Sequence, residues 1–550
     1  MKLIRSSTSN HDIRVSVCLQ SLVLGDRIVP EAMFDTQPAN VGCMPGTRES
    51  VLSKFTQWVK TDPMATFWLA GMVGTGKTSI AATLCRRFQE DPTVVLGGAF
   101  FCSRSAGSVP RSKARRILPT LVASLASQSP AFAAALVTEL EADDRVAYKS
   151  ASEQIVPLLA KPLATLPSSD YPIVFIIDAL DECCNVIELT ELLTAITSFN
   201  SKGQVKFILT SRPEMHIRGS AISNPTHNTI LHLHTIREEE VKADIHRYVT
   251  GTLGAVTRGA TWYTLDDVEA LVDLSHELFI FASTVLLYVL DKENIKGRQE
   301  RLRKMISTAT ATASTAASVN LDKIYEMILH EASRPDKADA DELNVTCRVL
   351  AGIIAARAPL SVQALGDLLN LDADDIRGSL ERLHSVVYMP HDDITTGVRV
   401  LHASFGDYML LRAAERVRIT ASLGDDILAR GCLDLMSKRL HFNVSQSRSS
   451  YEANPSPRSD NITLSLEYAC LQWIYHISAL PIPSALDEEI SKRFFPYFLF
   501  WLESMSVLCQ VRRGAAMLAF AATTVSTKTP GHLILTYSHR SSFLSFRGFS

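Results

Sequence analysis

The chain has 550 residues, 46% hydrophobic and 21% charged, with a formal net charge of -3. At about 150 residues per domain this length predicts roughly three or four domains, and the composition is that of a folded soluble protein. A slightly acidic total excludes a general polycation for nucleic acid and leaves only local basic patches. Ten cysteines with no C-x-x-C pair and no paired His/Cys spacing signal neither a zinc site nor a disulfide framework. The N-terminal MKLIRSSTSNHDIRVSVCLQ lacks the apolar core of a secretory signal, so a reducing, cytoplasmic compartment is expected.

In chain order, residues 1–40 read as a short N-terminal segment and linker, ending in a Pro/Asn/Gly-containing stretch. CMPGTRESVLSKFTQWV then turns into an amphipathic helix with Val51, Leu52, Phe55, Trp58 and Val59 on one face. Over 41–235 the apolar runs TFWLAG, GGAFFCS, YPIVFIIDAL and VKFILTS alternate with helical stretches, the pattern of buried parallel strands. Residues 236–335 read as a helical domain, through REEEVKADIHRYV, DDVEALVDLS and LDKIYEMILHEA. LFIFASTVLLYVL at 278–290 is short of the roughly 20 residues a bilayer needs, so it is expected as a buried core helix and no transmembrane segment is expected. STATATASTAAS at 307–318 reads as a flexible connection. Over 336–420, two helices followed by the strand-like SVVYMP and GVRVLHAS suit a winged-helix module, and 421–550 reads as a helical region with a poorly ordered Ser/Thr/Arg-rich tail.

The chemistry is concentrated in GMVGTGKTS, which follows the strand TFWLA and runs into the helix SIAATLCRRF. Gly71, Gly76, Lys77 and Thr78 fit G-x-x-x-x-G-K-[ST] in its required strand, loop, helix context, and Gly74 and Ser79 complete the cofactor-binding set. Glycines let backbone N–H groups converge on phosphate, and the helix N-terminus adds partial positive charge. Lys77 is expected to reach the β and γ phosphates and the Thr78 hydroxyl to bind magnesium. The strand PIVFIID ends at Asp178, expected as the second magnesium residue, followed by Asp181 and Glu182. Glu182, with Asp181 as the alternative, is expected to polarise the attacking water; these acids could instead simply cap the next helix. VKFILTSRP ends in Thr210, Ser211 and Arg212, and Arg212 is the candidate γ-phosphate sensor. The fold class expected is therefore an α/β P-loop NTPase domain, a parallel sheet flanked by helices, followed by helical and winged-helix modules.

Together GMVGTGKTS, FIIDALDEC and FILTSRPE resemble the NACHT class of signal-transduction (STAND) ATPases over about residues 40–480, most closely the fungal members related to NOD-like receptors and heterokaryon-incompatibility proteins. The resemblance implies a switch that binds ATP or GTP with magnesium and hydrolyses it slowly. It further implies self-association on activation, an effector partner not readable here, and a role in non-self recognition or programmed cell death. By the same resemblance His402, in LHASFGDYML, reaches the bound diphosphate from the winged helix, and Thr47 and Arg48, in GTR, lie near the nucleobase. One departure is SHELFIFAS, where Glu277 stands at the second position of a glycine pair common in the class. Neither an effector domain nor a repeat array is visible, which suggests a minimal or truncated version. Two other readings stay open: a P-loop kinase acting on a small acceptor, and a scaffold that binds nucleotide without hydrolysing it.

Overall fold

The computed structural model describes residues 27–37, 42–103, 111–143, 145–166, 171–199, 204–220, 222, 224, 228–256, 262–291, 294–310, 317–333, 340–358, 360–389, 397–414, 417–444, 462–480 and 487–528. The chain divides into two compact units, the first ending at Leu321 and the second beginning at Asp322.

The first unit is built on a parallel sheet of β1 (Thr66–Ala70), β2 (Val95–Phe101), β3 (Ile173–Asp178), β4 (Val205–Ser211) and β5 (Thr229–His232), in the order β2-β3-β4-β1-β5. Both faces of this sheet are covered, which is why its strands are continuous apolar runs. On one face Phe67, Leu69, Val174, Ile176 and Ile208 pack against α1 (Glu49–Thr61) and α2 (Lys77–Glu90). The alternate residues Trp68, Ala70, Phe175, Ile177, Phe207 and Leu209 face α3 (Ile117–Gln128), α4 (Pro130–Ala142) and the residues beyond them. The period of two assigns each residue its face, and each large apolar side chain so buried contributes about 1.5–3 kcal/mol. The buried residues of α1 are Val51, Leu52, Phe55, Trp58 and Val59, the face expected from sequence.

Between α4 and β3 lie α5 (Ala151–Ile155), a π-helical turn and α6 (Lys161–Ala164); α7 (Val186–Ser198) joins β3 to β4, and α8 (Met215–Arg218) follows β4. Register brings the C-terminal ends of the strands together: Ala70 pairs with Ser211 of β4 and with His232 of β5, and Ile177 pairs with Leu209. Because β4 lies between β1 and β3, its last residues stand between the loop after β1 and the acid ending β3. The unit continues through α9 (Glu238–Ala255), α10 (Leu265–Leu274), α11 (Phe279–Leu290) and α12 (Ile295–Thr310). The apolar run at 278–290 is indeed the buried helix α11, and among the described residues no helix is long and apolar enough to cross a membrane.

Three features differ from the sequence expectation. Of the expected linker over 1–40, residues 1–26 and 38–40 lie outside the described set, but Val29 and Ala32 are buried in the sheet's second core, and the Val29 N–H donates to Thr120 Oγ1 at 3.0 Å. The connection expected over 307–318 is helical where it is described, closing α12 to Thr310 and opening α13 (Ala317–Ser333). Strand β5 went unread because its four residues, TILH, are too few to form a recognisable apolar run.

In the second unit, α14 (Ala340–Ala355), α15 (Val362–Leu369) and α16 (Ala373–Glu381) precede β6 (Val387–Tyr388) and β7 (Arg399–Val400). These two strands pair antiparallel, and Leu360 bridges to Val398. Helices α17 (Ala403–Leu411), α18 (Ala421–Arg439), α19 (Leu464–Ala479), α20 (Asp487–Arg493), α21 (Phe498–Val507) and α22 (Val511–Lys528) complete it, and residues 529–550 of the expected tail lie outside the described set.

Candidate phosphate-binding site

The loop from Gly71 to Gly76 joins a wholly buried strand to the N-terminus of a 14-residue helix. Gly76 caps that helix at φ 91°, a backbone angle that an L side chain adopts only under strain. Gly74, at φ 78°, is required twice over, since a Cβ there would lie 2.1 Å from Ile280 Cγ2. Lys77 folds its ammonium back across the loop to the carbonyl oxygens of Gly71 and Met72, at 2.7 and 2.9 Å. Burial pulls this ammonium below its ordinary range, and the nearby Asp181 and Asp178 oppose the shift. Ser79 lies in the first turn of α2, and its carbonyl accepts from the Thr83 hydroxyl at 2.8 Å.

One hundred residues downstream, β3 delivers Asp178 to the start of that helix. The Thr78 hydroxyl donates to Asp178 Oδ2 at 2.8 Å and the Thr210 hydroxyl to Asp178 Oδ1 at 2.6 Å. Thr210 Oγ1 in turn accepts the Ala179 N–H at 3.0 Å, which locks the strand end to β4. Asp178 is 2% exposed, and burial raises its carboxyl above the ordinary range against the opposing hydroxyl bonds and Lys77. Magnesium fits this donor set, because the ion takes one or two protein oxygens and completes its shell with water and phosphate rather than with an all-protein cage. Among the described residues no cluster of three or more His, Cys, Asp or Glu side chains able to hold a metal occurs.

Ala179, at φ 56°, turns the chain sharply into the short 3-10 helix Leu180–Glu182. Two acids follow in that turn. Asp181 is 4% exposed and is held by Arg212, accepting its backbone N–H at 2.8 Å and its Nε at 3.1 Å. The alternative water-polarising acid, Asp181, and the candidate sensor are therefore paired with each other, and Glu182, the first candidate, is half-buried at the end of the turn.

The Gly46–Arg48 segment also reaches this loop. Thr47 is buried and its hydroxyl donates to the Met44 carbonyl at 2.7 Å. Arg48 is 4% exposed; its Nη2 donates to the Thr75 carbonyl at 3.0 Å, and its backbone N–H donates to Asp244 of α9 at 3.0 Å. Sequence reasoning missed Asp244, which sits in an acidic helix that reads as a solvated face, and missed Thr210 as the hydroxyl shared by Asp178 and Ala179.

His402 belongs to the second unit. There it caps α17, its Nδ1 accepting the Ser404 N–H at 3.1 Å, and Ser404 Oγ lies 2.7 Å from both His402 Nδ1 and the Tyr325 hydroxyl. A backbone N–H can only donate, so this contact makes Nδ1 the acceptor nitrogen and Nε2 the proton-bearing one.

The family described as Nephrocystin 3, N-terminal, matches residues 46–212, a span that runs from the Gly46–Arg48 segment through the phosphate loop and Asp178 to Arg212. No curated protein matches the chain. Among solved structures, the STAND protein with a tetratricopeptide repeat sensor from Pyrococcus horikoshii is similar at 12% identity and TM-score 0.39, over 91% of this chain and 67% of that one. The Walker-type ATPase of Pyrococcus abyssi is similar at 11% identity and TM-score 0.33, over 70% of this chain and 99% of that one. The Drosophila ORC bound to DNA is similar at 10% identity and TM-score 0.24, over 100% of this chain and 87% of that one.

Proposed function

We propose that the chain is a nucleotide-dependent switch whose first unit binds a nucleoside triphosphate, ATP or GTP, with magnesium and hydrolyses it slowly. The observation that carries this reading is the meeting of Thr78 and Asp178 at 2.8 Å beside a loop crossed by the Lys77 ammonium. Backbone N–H groups of the loop and the first turn of α2 cradle the phosphates, and Lys77 pairs with β and γ oxygens. Thr78 and Asp178 would hold magnesium, which would supply positive charge against that developing on the phosphate oxygens. Glu182, a carboxylate just past the end of β3, orients and polarises the water that attacks the γ phosphorus. The bond from that phosphorus to the bridging oxygen breaks, and the diphosphate leaves. Arg212 answers to the γ phosphate by exchanging its Asp181 partner for phosphate oxygen.

In this reading α14 to α16 with β6 and β7 form a winged-helix module, and the motif resemblance assigns His402 to the diphosphate-bound resting state. Thr47 borders the base. Replacement of diphosphate by triphosphate ends that state and shifts the population toward a self-associated form. The motif resemblance to NACHT proteins supports an output in non-self recognition or programmed cell death. Calorimetric titration of ATP, ADP, GTP and GDP with magnesium into wild type, Lys77→Ala and His402→Ala tests the proposal. Binding is expected to disappear in Lys77→Ala, with diphosphate affinity selectively weakened in His402→Ala. A folded wild type that binds none of the four overturns it.

A further inference from the structure

Two groups from outside the phosphate loop hold it by its carbonyl oxygens. The Ile280 N–H, in the first turn of α11, donates to Gly74 O at 3.2 Å, and Arg48 Nη2 donates to Thr75 O at 3.0 Å. In a planar trans peptide the C=O of one residue and the N–H of the next point in opposite directions. Fixing Gly74 O therefore aims the Thr75 N–H, and fixing Thr75 O aims the Gly76 N–H. The loop needs such anchors because Gly74 and Gly76, at φ 78° and 91°, give these peptides freedom to flip.

Both anchors are held at a cost. Arg48 has φ 58°, and its guanidinium lies 4.8 Å from the centre of the Phe279 ring with Nε and Nη1 buried and without hydrogen-bond partners. The corner leading to Ile280 places His276 and Glu277 at φ 40° and 66°, in the left-handed region that favours glycine. Non-glycine residues in this region cost about 1 kcal/mol or more each and persist where surrounding contacts over-determine them.

We propose that Arg48 and the His276–Ile280 corner are positioning elements that hold the Thr75 and Gly76 N–H groups toward the polyphosphate, so that Arg48 acts through the loop and not on the nucleobase. The inference rests on the phosphate-site reading above. It makes α11 part of the phosphate site, since displacing its first turn releases the Gly74 carbonyl.

Inorganic tripolyphosphate, which has neither base nor sugar, separates the alternatives. It is titrated with magnesium into wild type, Lys77→Ala, Arg48→Lys and Arg48→Met, beside ATP and GTP. Loss of one charge-assisted anchor is expected to weaken all three ligands about tenfold in Arg48→Met, by the same factor for each. Arg48→Lys, which keeps the cation but not the planar fork, is expected to lie between Arg48→Met and wild type, and it carries the test if Arg48→Met does not fold. Weakened nucleotide binding with unchanged tripolyphosphate binding assigns Arg48 to the base and overturns the proposal, as does unchanged binding of all three. If wild type and Lys77→Ala alike bind nothing, the phosphate reading falls with it. Binding abolished in Lys77→Ala but unaltered in both Arg48 variants removes the positioning role alone.

Discussion

Each unit of the molecule has a buried aspartate at the centre of a polar cluster, and the two clusters are completed in opposite ways. Asp178, in the first unit, accepts from two neutral hydroxyls, while the nearby Lys77 ammonium is bonded to loop carbonyls. Asp425, in the second, lies 2.7 Å from His476 Nδ1 and accepts from Arg357 Nη2 at 3.0 Å. The chain goes on from there: the Tyr468 hydroxyl lies 2.8 Å from His476 Nε2 and accepts the Arg357 N–H at 2.9 Å. A carboxylate buried among neutral donors is under-compensated and suited to take up a cation, whereas one paired with a guanidinium and an imidazole is closed on itself. In the proposed function the first arrangement is the cation site, and the second is a structural hub joining the turn after α14 to α18 and α19.

Breaking the hub is expected to have the larger effect on stability. Asp425→Ala leaves His476 and Arg357 without their acceptor, and removing one partner of a buried pair costs about 3–5 kcal/mol. Because the Arg357 side chain is 32% exposed, a loss near the lower end is expected, read as a fall in the thermal unfolding of the second unit with nucleotide affinity unchanged. An unaltered unfolding temperature would remove the hub role.

The comparison sharpens with pH. Burial holds His476 below its ordinary value, more strongly than Asp425 raises it. The unfolded chain therefore takes up this proton first, near pH 6.5, so the stability contributed by neutral His476 is complete above that value. It declines as the pH falls toward the lower folded value, by at most about 1.4 kcal/mol per pH unit. Unfolding followed from pH 7.5 to 5 should show this slope, and His476→Gln should flatten it; identical profiles would contradict the assignment.

The same contrast explains what could be read from the sequence. Eight contiguous residues, Gly71–Thr78, carry most of the phosphate loop, and one apolar strand points to Asp178, so both were legible without a structure. The covered sheet was legible too, because burial on both faces leaves continuous apolar runs. Arg357, Asp425, Tyr468 and His476 form no pattern along the chain, and only the packing of three separate segments unites them. The Arg48 anchor stood between these extremes: GTR was noticed as a segment, but its hold on the Thr75 carbonyl depends on Asp244 and Phe279 arriving from far downstream. The Glu277 departure was visible as a missing glycine, while its left-handed backbone and the nearby Ile280 contact to Gly74 were not.

The central claim is that Asp178 serves a magnesium-bound triphosphate, and Asp178→Asn tests it most directly, since the amide keeps the shape of the carboxylate and removes its charge. Triphosphate affinity is measured by calorimetry with and without magnesium in both proteins. The account predicts that magnesium tightens binding to wild type and that Asp178→Asn loses most of this enhancement while its magnesium-free affinity holds or improves. Equal magnesium enhancement in the two proteins would contradict it.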